Sequence, residues 1–230
     1  MPQRSPSITE QLAQLYSWHQ RQDDCFIPCG LVNEEQSLSS SPRVVGLLRE
    51  VNSADKDWKL PLLLSNAAKR VLSGRQFSKA GVWTTWRFGG LLVQALHHGL
   101  PMSIDVASWQ DAAEGLQTLG VTNLKKIPGG GTAKRNEIRA YARRDVNLWW
   151  QEIELMNPDI VLCGGTFDDV AHTIGFKHTW RWAGVRFGSL ARPDSVPVFA
   201  DMYHPAFRRR HVDYYQRISP GLQKLLETLT

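Results

Sequence analysis

Residues 201–211 read DMYHPAFRRRH. The imidazole of His204 can donate a hydrogen bond to a developing anion, and Pro205 fixes the backbone behind it. Phe207 adds an apolar ring, and Arg208, Arg209 and Arg210 add guanidiniums of the kind that pair with phosphate oxygens. Three other segments carry comparable groups. REVNSADKDW holds Glu50, with Asn52 and Asp55 close behind it. NLKKIPGGG holds Asn123, whose carboxamide offers a donor and an acceptor side by side. CGGTFDD offers a glycine pair that a ligand can approach closely. Such a set suits two tasks: reading the polar edge of a bound group, and steadying charge while a bond breaks beside an oriented water.

These groups can cooperate only if the chain brings all four segments to one place. Each follows a short apolar run: RVVGLL (43–48), LQTLGVTNL (strand at about 118–124), DIVLCGG and VPVFADM (196–202). Runs that do not alternate, separated by helical stretches, predict a parallel sheet covered on both faces. Ligands bind outside the carboxyl ends of such strands, at a switch point, and the polar segments all lie there. SITEQLAQLYSWHQRQ opens with a capping box, Ser7 as N-cap and Glu10 three residues on. After the polar loop NEEQSLSSSP, helices are predicted at 60–73 and 90–99. Another runs unbroken from about 136 to 156, on Ile138, Ala142, Val146, Trp149, Ile153 and Met156, and is stopped by Asn157-Pro158. TWRWAGVRFGSL predicts a hairpin before the last strand. The final helix is predicted from Ser219-Pro220, carrying Leu222, Leu225, Leu226 and Leu229.

The chain has 230 residues, 42% of them hydrophobic, enough to bury one full core. A formal charge of +5 favours anionic partners, and the nine tryptophans suit stacking on bases where they are not core. No run approaches the roughly 18 apolar residues of a membrane span. The start, MPQRSPSITEQ, has no apolar h-region, and three cysteines do not make a disulfide framework. The expectation is an intracellular, cytoplasmic protein with no membrane partner.

The stretch VTNLKKIPGGGTAKRNEIRAYARRDVNLWWQEIELMNPDIVLCGGTFDDVA resembles the middle of the uracil-DNA glycosylase superfamily, closest to its iron–sulfur branch. That branch has a strand ending in Thr-Asn, a loop, a helix ending in Gln-Ile-x-Leu-x-x-Pro, and a strand ending in Gly. MYHPAF resembles the superfamily's His-Pro-Ser motif. LLREVNSADKD stands where those proteins carry Gly-Glu-Ala-Pro-Gly or Gly-x-Asp/Asn-Pro. Order and rough spacing agree over residues 43–210. The departures are specific: Arg49 and Ser53 replace glycines, Asn52 a proline, and Ala206 a serine. Ile127 occupies the place of a cluster cysteine, Cys25 and Cys29 have the wrong interval, and Cys163 lies within a strand. No iron–sulfur cluster, other metal or cofactor is therefore expected.

The resemblance implies a DNA glycosylase that flips a base from the helix and breaks its N-glycosidic bond, the base leaving as an anion. It makes Asn123 the base reader and His204 the donor to the negative oxygen. Water is handled by Glu50 if the first motif aligns without a gap, or by Asn52 if it slips, with Asp55 a third candidate; of Glu50 and Asn52 only the carboxylate could act as a base. The stacking aromatic is one of Trp58, Trp83, Trp86 and Phe88; Trp58 and Asp55 complete the base-binding set. Phe207 corresponds to the wedge that fills the space of the extruded base, and Arg208, Arg209 and Arg210 hold flanking phosphates. Lys125, Lys126, Lys134 and Arg135 extend that track, with Gly129, Gly130 and Gly131 letting backbone amides approach a phosphate.

The fold expected is α/β, a single domain over 1–230 with residues 1–40 as an N-terminal helix and loop packed on it. Its architecture is three layers, α/β/α, around a central four-stranded, mostly parallel sheet, as in uracil-DNA glycosylases, and the protein is expected to be a monomer. The substrate is a uracil-like, damaged or modified base, the last class including the bulky pyrimidines of bacteriophage DNA, which would make the protein an antiviral factor. Three rivals stand: a catalytically inactive DNA-binding protein of the same fold, a nucleotide enzyme using IPGGGTAK as a phosphate cradle, and a nuclease. IPGGGTAK lacks the spacing of a P-loop, and no carboxylates cluster at metal-ligand spacing.

Overall fold

A computed structural model describes residues 5–22, 25–50, 59–75, 80–99, 109–129, 134–193, 195–203 and 211–229. The side chains of residues 21, 22, 80–85, 211 and 212 are outside that description.

The apolar runs become strands β2 (Val44–Leu48), β3 (Leu119–Asn123), β4 (Ile160–Gly164) and β7 (Val198–Met202). They lie in the order β3-β2-β4-β7, all parallel, and β2, β3 and β4 are buried along their whole length. That burial explains why their sequences do not alternate. The expected four-stranded, mostly parallel sheet is corrected: among the described residues the sheet has seven strands and is mixed. A two-residue strand β1 (Gly30–Leu31) runs antiparallel to β3 on one side. On the other side the hairpin of β5 (His178–Trp182) and β6 (Val185–Ser189) joins antiparallel to β7, through Phe187↔Ala200 and Gly188↔Phe199. Short or twisted antiparallel strands at both margins spare the parallel strands an open edge.

Alternate residues of each inner strand face opposite layers. Val44, Leu48, Ile160, Leu162, Val198 and Ala200 pack with α3 (Leu60–Leu72), α4 (Ala80–His98), α5 (Trp109–Gln117) and α9 (His211–Leu229). Leu47, Val161, Cys163 and Phe199 pack with α6 (Arg135–Arg144), α7 (Val146–Met156) and α8 (Phe167–Ile174). Helix α1 (Ile8–Gln22) covers Val45 on that second face. Its capping box is formed: the Glu10 amide donates to Ser7 Oγ at 3.2 Å, and the Ser7 amide donates to Glu10 Oε2 at 2.7 Å.

Four helical expectations need correction. The stretch 136–156 is two helices, broken at Asp145 (φ −102, ψ 19). At the break the Trp149 indole donates to the Ala142 carbonyl at 2.9 Å, so this buried acceptor is paired. The last helix begins at His211 and runs through Pro220. The second predicted helix starts ten residues earlier, at Ala80. Within the polar loop, α2 (Glu34–Ser39) forms under an Asn33 N-cap, whose side chain accepts from the Gln36 amide. No helix among the described residues is long and apolar enough to cross a membrane.

Candidate functional site

The chain runs from β2 through α3, α4 and α5 to β3, then through α6 and α7 on the other face to β4. Because β3 and β4 flank β2, the direction of winding reverses between β2 and β4. A crevice for ligands is expected outside the carboxyl ends of strands at such a point. Glu50, Asn123, Gly165 and Tyr203 all lie at this edge, each at or just beyond a strand end.

Asn123 is the last residue of β3, paired with Leu48 of β2, and is fully buried. Its amide nitrogen donates to the Cys29 sulfur at 3.6 Å, while that thiol is within hydrogen-bond reach of the Ile27 carbonyl at 3.8 Å. Oδ1 is left with no hydrogen-bond partner among the described residues. A buried amide oxygen without a donor costs about 1–3 kcal/mol, so Oδ1 retains an unused acceptor site among the described residues.

Glu50 stands two residues beyond the paired Leu48, its side chain 6% exposed. Lys125 Nζ meets Glu50 Oε2 at 2.9 Å and Glu137 Oε1 at 2.6 Å. Burial works against the Lys125 charge, but the hydrogen bonds to Glu137 and Glu50 outweigh it and raise its pKa. The same ammonium pulls the Glu137 carboxyl below its usual range. Gly129 lies against the Glu50 carboxylate so closely that a Cβ there would meet its atoms at 1.9 Å.

Lys125 and Lys126 are thereby corrected. Both are buried, and neither ammonium lies on the surface where a phosphate track would run. Lys126 bonds Glu152, the Thr122 hydroxyl at 2.7 Å and the Cys29 sulfur at 3.5 Å. Its burial disfavours the charge, and its partners more than offset that, raising the pKa. A double lysine in a polar loop usually marks a solvated face; here the partners, Glu137 and Glu152, come from α6 and α7. The acid in the first turn of α6 was a usable signal for Glu137, but nothing local marks Glu152.

Lys134 and Arg135 are exposed, Arg135 pairing with Asp168 at 3.1 Å. Trp86 and Phe88 are buried and line an apolar cleft of about 40 Å³ with Gly46, Leu48, Gly164 and Tyr203. That space is far below the several hundred Å³ of small-molecule sites. Asn52, Asp55, Trp58, Gly130, Gly131, His204, Phe207, Arg208, Arg209 and Arg210 lie outside the described residues, as does the Trp83 side chain. Among the described residues, no group of three or more His, Cys, Asp or Glu side chains is placed to hold a metal ion. Cys163 is packed in β4, its thiol pKa pushed up by burial.

A larger cleft of about 330 Å³, not foreseen from the sequence, opens beside the exits of β4 and β7. Arg49, Arg186, Arg217, Asp201, Tyr203 and Tyr214 are among its walls. Arg186 bridges Asp168 at 2.8 Å and Asp201 at 2.7 Å. Its hydrogen bond lowers the Asp168 pKa; burial keeps that of Asp201 raised in spite of it.

No protein-family model matches this chain, and a search of curated proteins finds no match either.

Proposed function

We propose that the protein is a monofunctional DNA glycosylase, turning a uracil-like, damaged or modified base out of the duplex and hydrolysing its N-glycosidic bond. The observation that carries this reading is Asn123: a fully buried carboxamide at a strand exit, its nitrogen tied to Cys29 and its oxygen unpartnered among the described residues. An acceptor so held would take the imino or amino N–H of a base edge, and would discriminate against a base lacking it. Glu50 stands at the neighbouring exit, two residues beyond the Leu48 that pairs with Asn123. Held between Lys125 and the bare Cα of Gly129, it is suited to orienting water and opposing positive charge on the sugar more than to swinging as a free base. His204, directly after Tyr203, is the proposed donor to the departing base anion.

The test uses duplexes carrying single uracil, deaminated, oxidised or bulky modified pyrimidines, followed by alkali to reveal abasic sites. Strand breaks are expected with at least one base. Asn123→Ala should lower kcat/KM about a hundredfold or more, and His204→Ala about 100- to 1000-fold, both with the fold retained by circular dichroism. Absence of breaks with every base, alongside tight binding of duplex, would leave the non-catalytic DNA-binding protein. The ion pair that already occupies Glu50 is what favours that second reading.

A further inference from the structure

The 330 Å³ cleft holds an imbalance of charge. Asp168 is neutralised by Arg135 and Arg186, Asp201 by Arg186, and Asp169 by Arg139 at 3.2 Å. Arg49 and Arg217 line the same cleft, and among the described residues neither has a carboxylate within ion-pair distance. They come from different directions, Arg49 from the β2 exit and Arg217 from the exposed side of α9. The Arg49 Nε donates to the Gly165 carbonyl at 3.0 Å, which anchors the guanidinium at the β4 exit.

Tyr203 lines the same cleft and is 47% exposed although large. Its ring rests on that of Tyr214, centroids 4.9 Å apart, and its backbone amide donates to the Tyr214 hydroxyl at 2.7 Å. The platform is therefore fixed at both ring and backbone. A partly exposed tyrosine in one cleft with two guanidiniums that no carboxylate pairs among the described residues is a combination that suits a nucleotide, the base by stacking and the phosphate by charge-assisted hydrogen bonds.

We infer that this cleft binds one unpaired nucleotide of a DNA strand, with its base on Tyr203 and its phosphate between Arg49 and Arg217. The inference rests on the glycosylase reading for the identity of the strand. Asn123 lies two strand spacings from β4, roughly 10 Å, so the cleft takes a neighbour of the extruded base. Arg49 and Tyr203 then border the reacting position, and the strand must be locally unpaired where it crosses the β7 exit.

The test measures fluorescence anisotropy of a labelled single-stranded oligonucleotide containing only ordinary bases, so that no excision takes part. The expected result is salt-dependent binding. Arg217→Glu should weaken it at least about tenfold, and the salt dependence of log K should become shallower by about 0.7 for the lost phosphate contact. Tyr203→Ala should weaken it about tenfold with the salt dependence unchanged. A nucleoside monophosphate should compete better than inorganic phosphate; equal competition would overturn the stacking half of the proposal. Unaltered oligonucleotide binding by both variants, in protein of wild-type melting temperature, would overturn it whole. The two readings separate cleanly: wild-type protein that binds in this pattern but excises nothing keeps the cleft and loses the glycosylase, and excision with unaltered binding does the reverse.

Discussion

The carboxylate of Glu50 occupies the space that a side chain at Gly129 would fill, with Oε2 and Cδ both 1.9 Å from where a Cβ would stand. Gly129 has no left-handed φ, so the requirement for glycine is purely steric. Gly129→Ala is expected to push the carboxylate from its seat and away from Lys125. Displacements of about 1 Å in a positioned group can cost about a hundredfold in rate. On the proposed glycosylase reading, excision kinetics on the best duplex substrate should show that loss, and the thermal midpoint should fall as well, because the displaced carboxylate leaves its buried pairing with Lys125.

Lys125→Met removes the cation shared by Glu50 and Glu137. The sign of its pH dependence follows from two opposite shifts. Lys125 is raised, so its contribution is complete below its ordinary pKa of 10.5 and fades as pH rises through the higher folded value. Glu137 is lowered, so its contribution is complete above its ordinary 4.5 and fades as pH falls through the folded value. The difference in melting temperature between wild type and Lys125→Met should be widest and flat from about pH 5 to 10, and should narrow on both sides.

Lys126→Met strands Glu152 without its counter-charge in the core. Breaking a buried pair in this way costs about 3–5 kcal/mol, whereas replacing both members by apolar residues is close to neutral. Urea denaturation should show Lys126→Met strongly destabilised and Lys126→Met/Glu152→Met largely restored. The salt dependence of DNA binding by the double variant should equal that of wild type, since this ammonium touches no phosphate.

The β5–β6 turn places Ala183 at φ 44 ahead of Gly184 at φ 84, flanked by the Trp182↔Val185 pair. A two-residue hairpin with both central φ values positive favours Asn-Gly, and an L-residue with a Cβ pays about 1–2 kcal/mol there. Ala183→Asn should stabilise the protein by about 0.5–1 kcal/mol, seen as a rise in thermal midpoint. A fall would mean that the turn does not take this form in solution.

The runs at Val44–Leu48, Ile160–Gly164 and Val198–Met202 were legible because strands covered on both faces need continuous apolar sequence, and only such strands do. The marginal strand β1 was not, since two residues carry no period. The 136–156 helix was misjudged because its apolar spacing continues in phase through Asp145; the break lies in the Asp145 backbone and is matched by the bond from Trp149 to Ala142. Asn123 and Glu50 were recognisable from their places after apolar runs. Their neighbours were not: Cys29, Gly129 and Glu137 reach them through space, and Lys125 and Lys126 changed from surface to core once those partners arrived. Tyr203 and Arg217 meet in one cleft although fourteen positions apart, with no motif to join them.

The reversal of winding at β2 has a bearing on how the protein comes into being. Position 50 is synthesised well before position 203, yet both belong to one rim, and every parallel pairing spans a long loop of chain. Such distant closures are entropically slow to make, which places folding toward the millisecond-to-second range of non-local topologies. A nascent chain halted before β7 would possess Asn123 and Glu50 but lack one wall of the rim. Neither fragment of a chain divided at the β3–α6 loop would then carry the whole rim, which would be complete only when both were recombined.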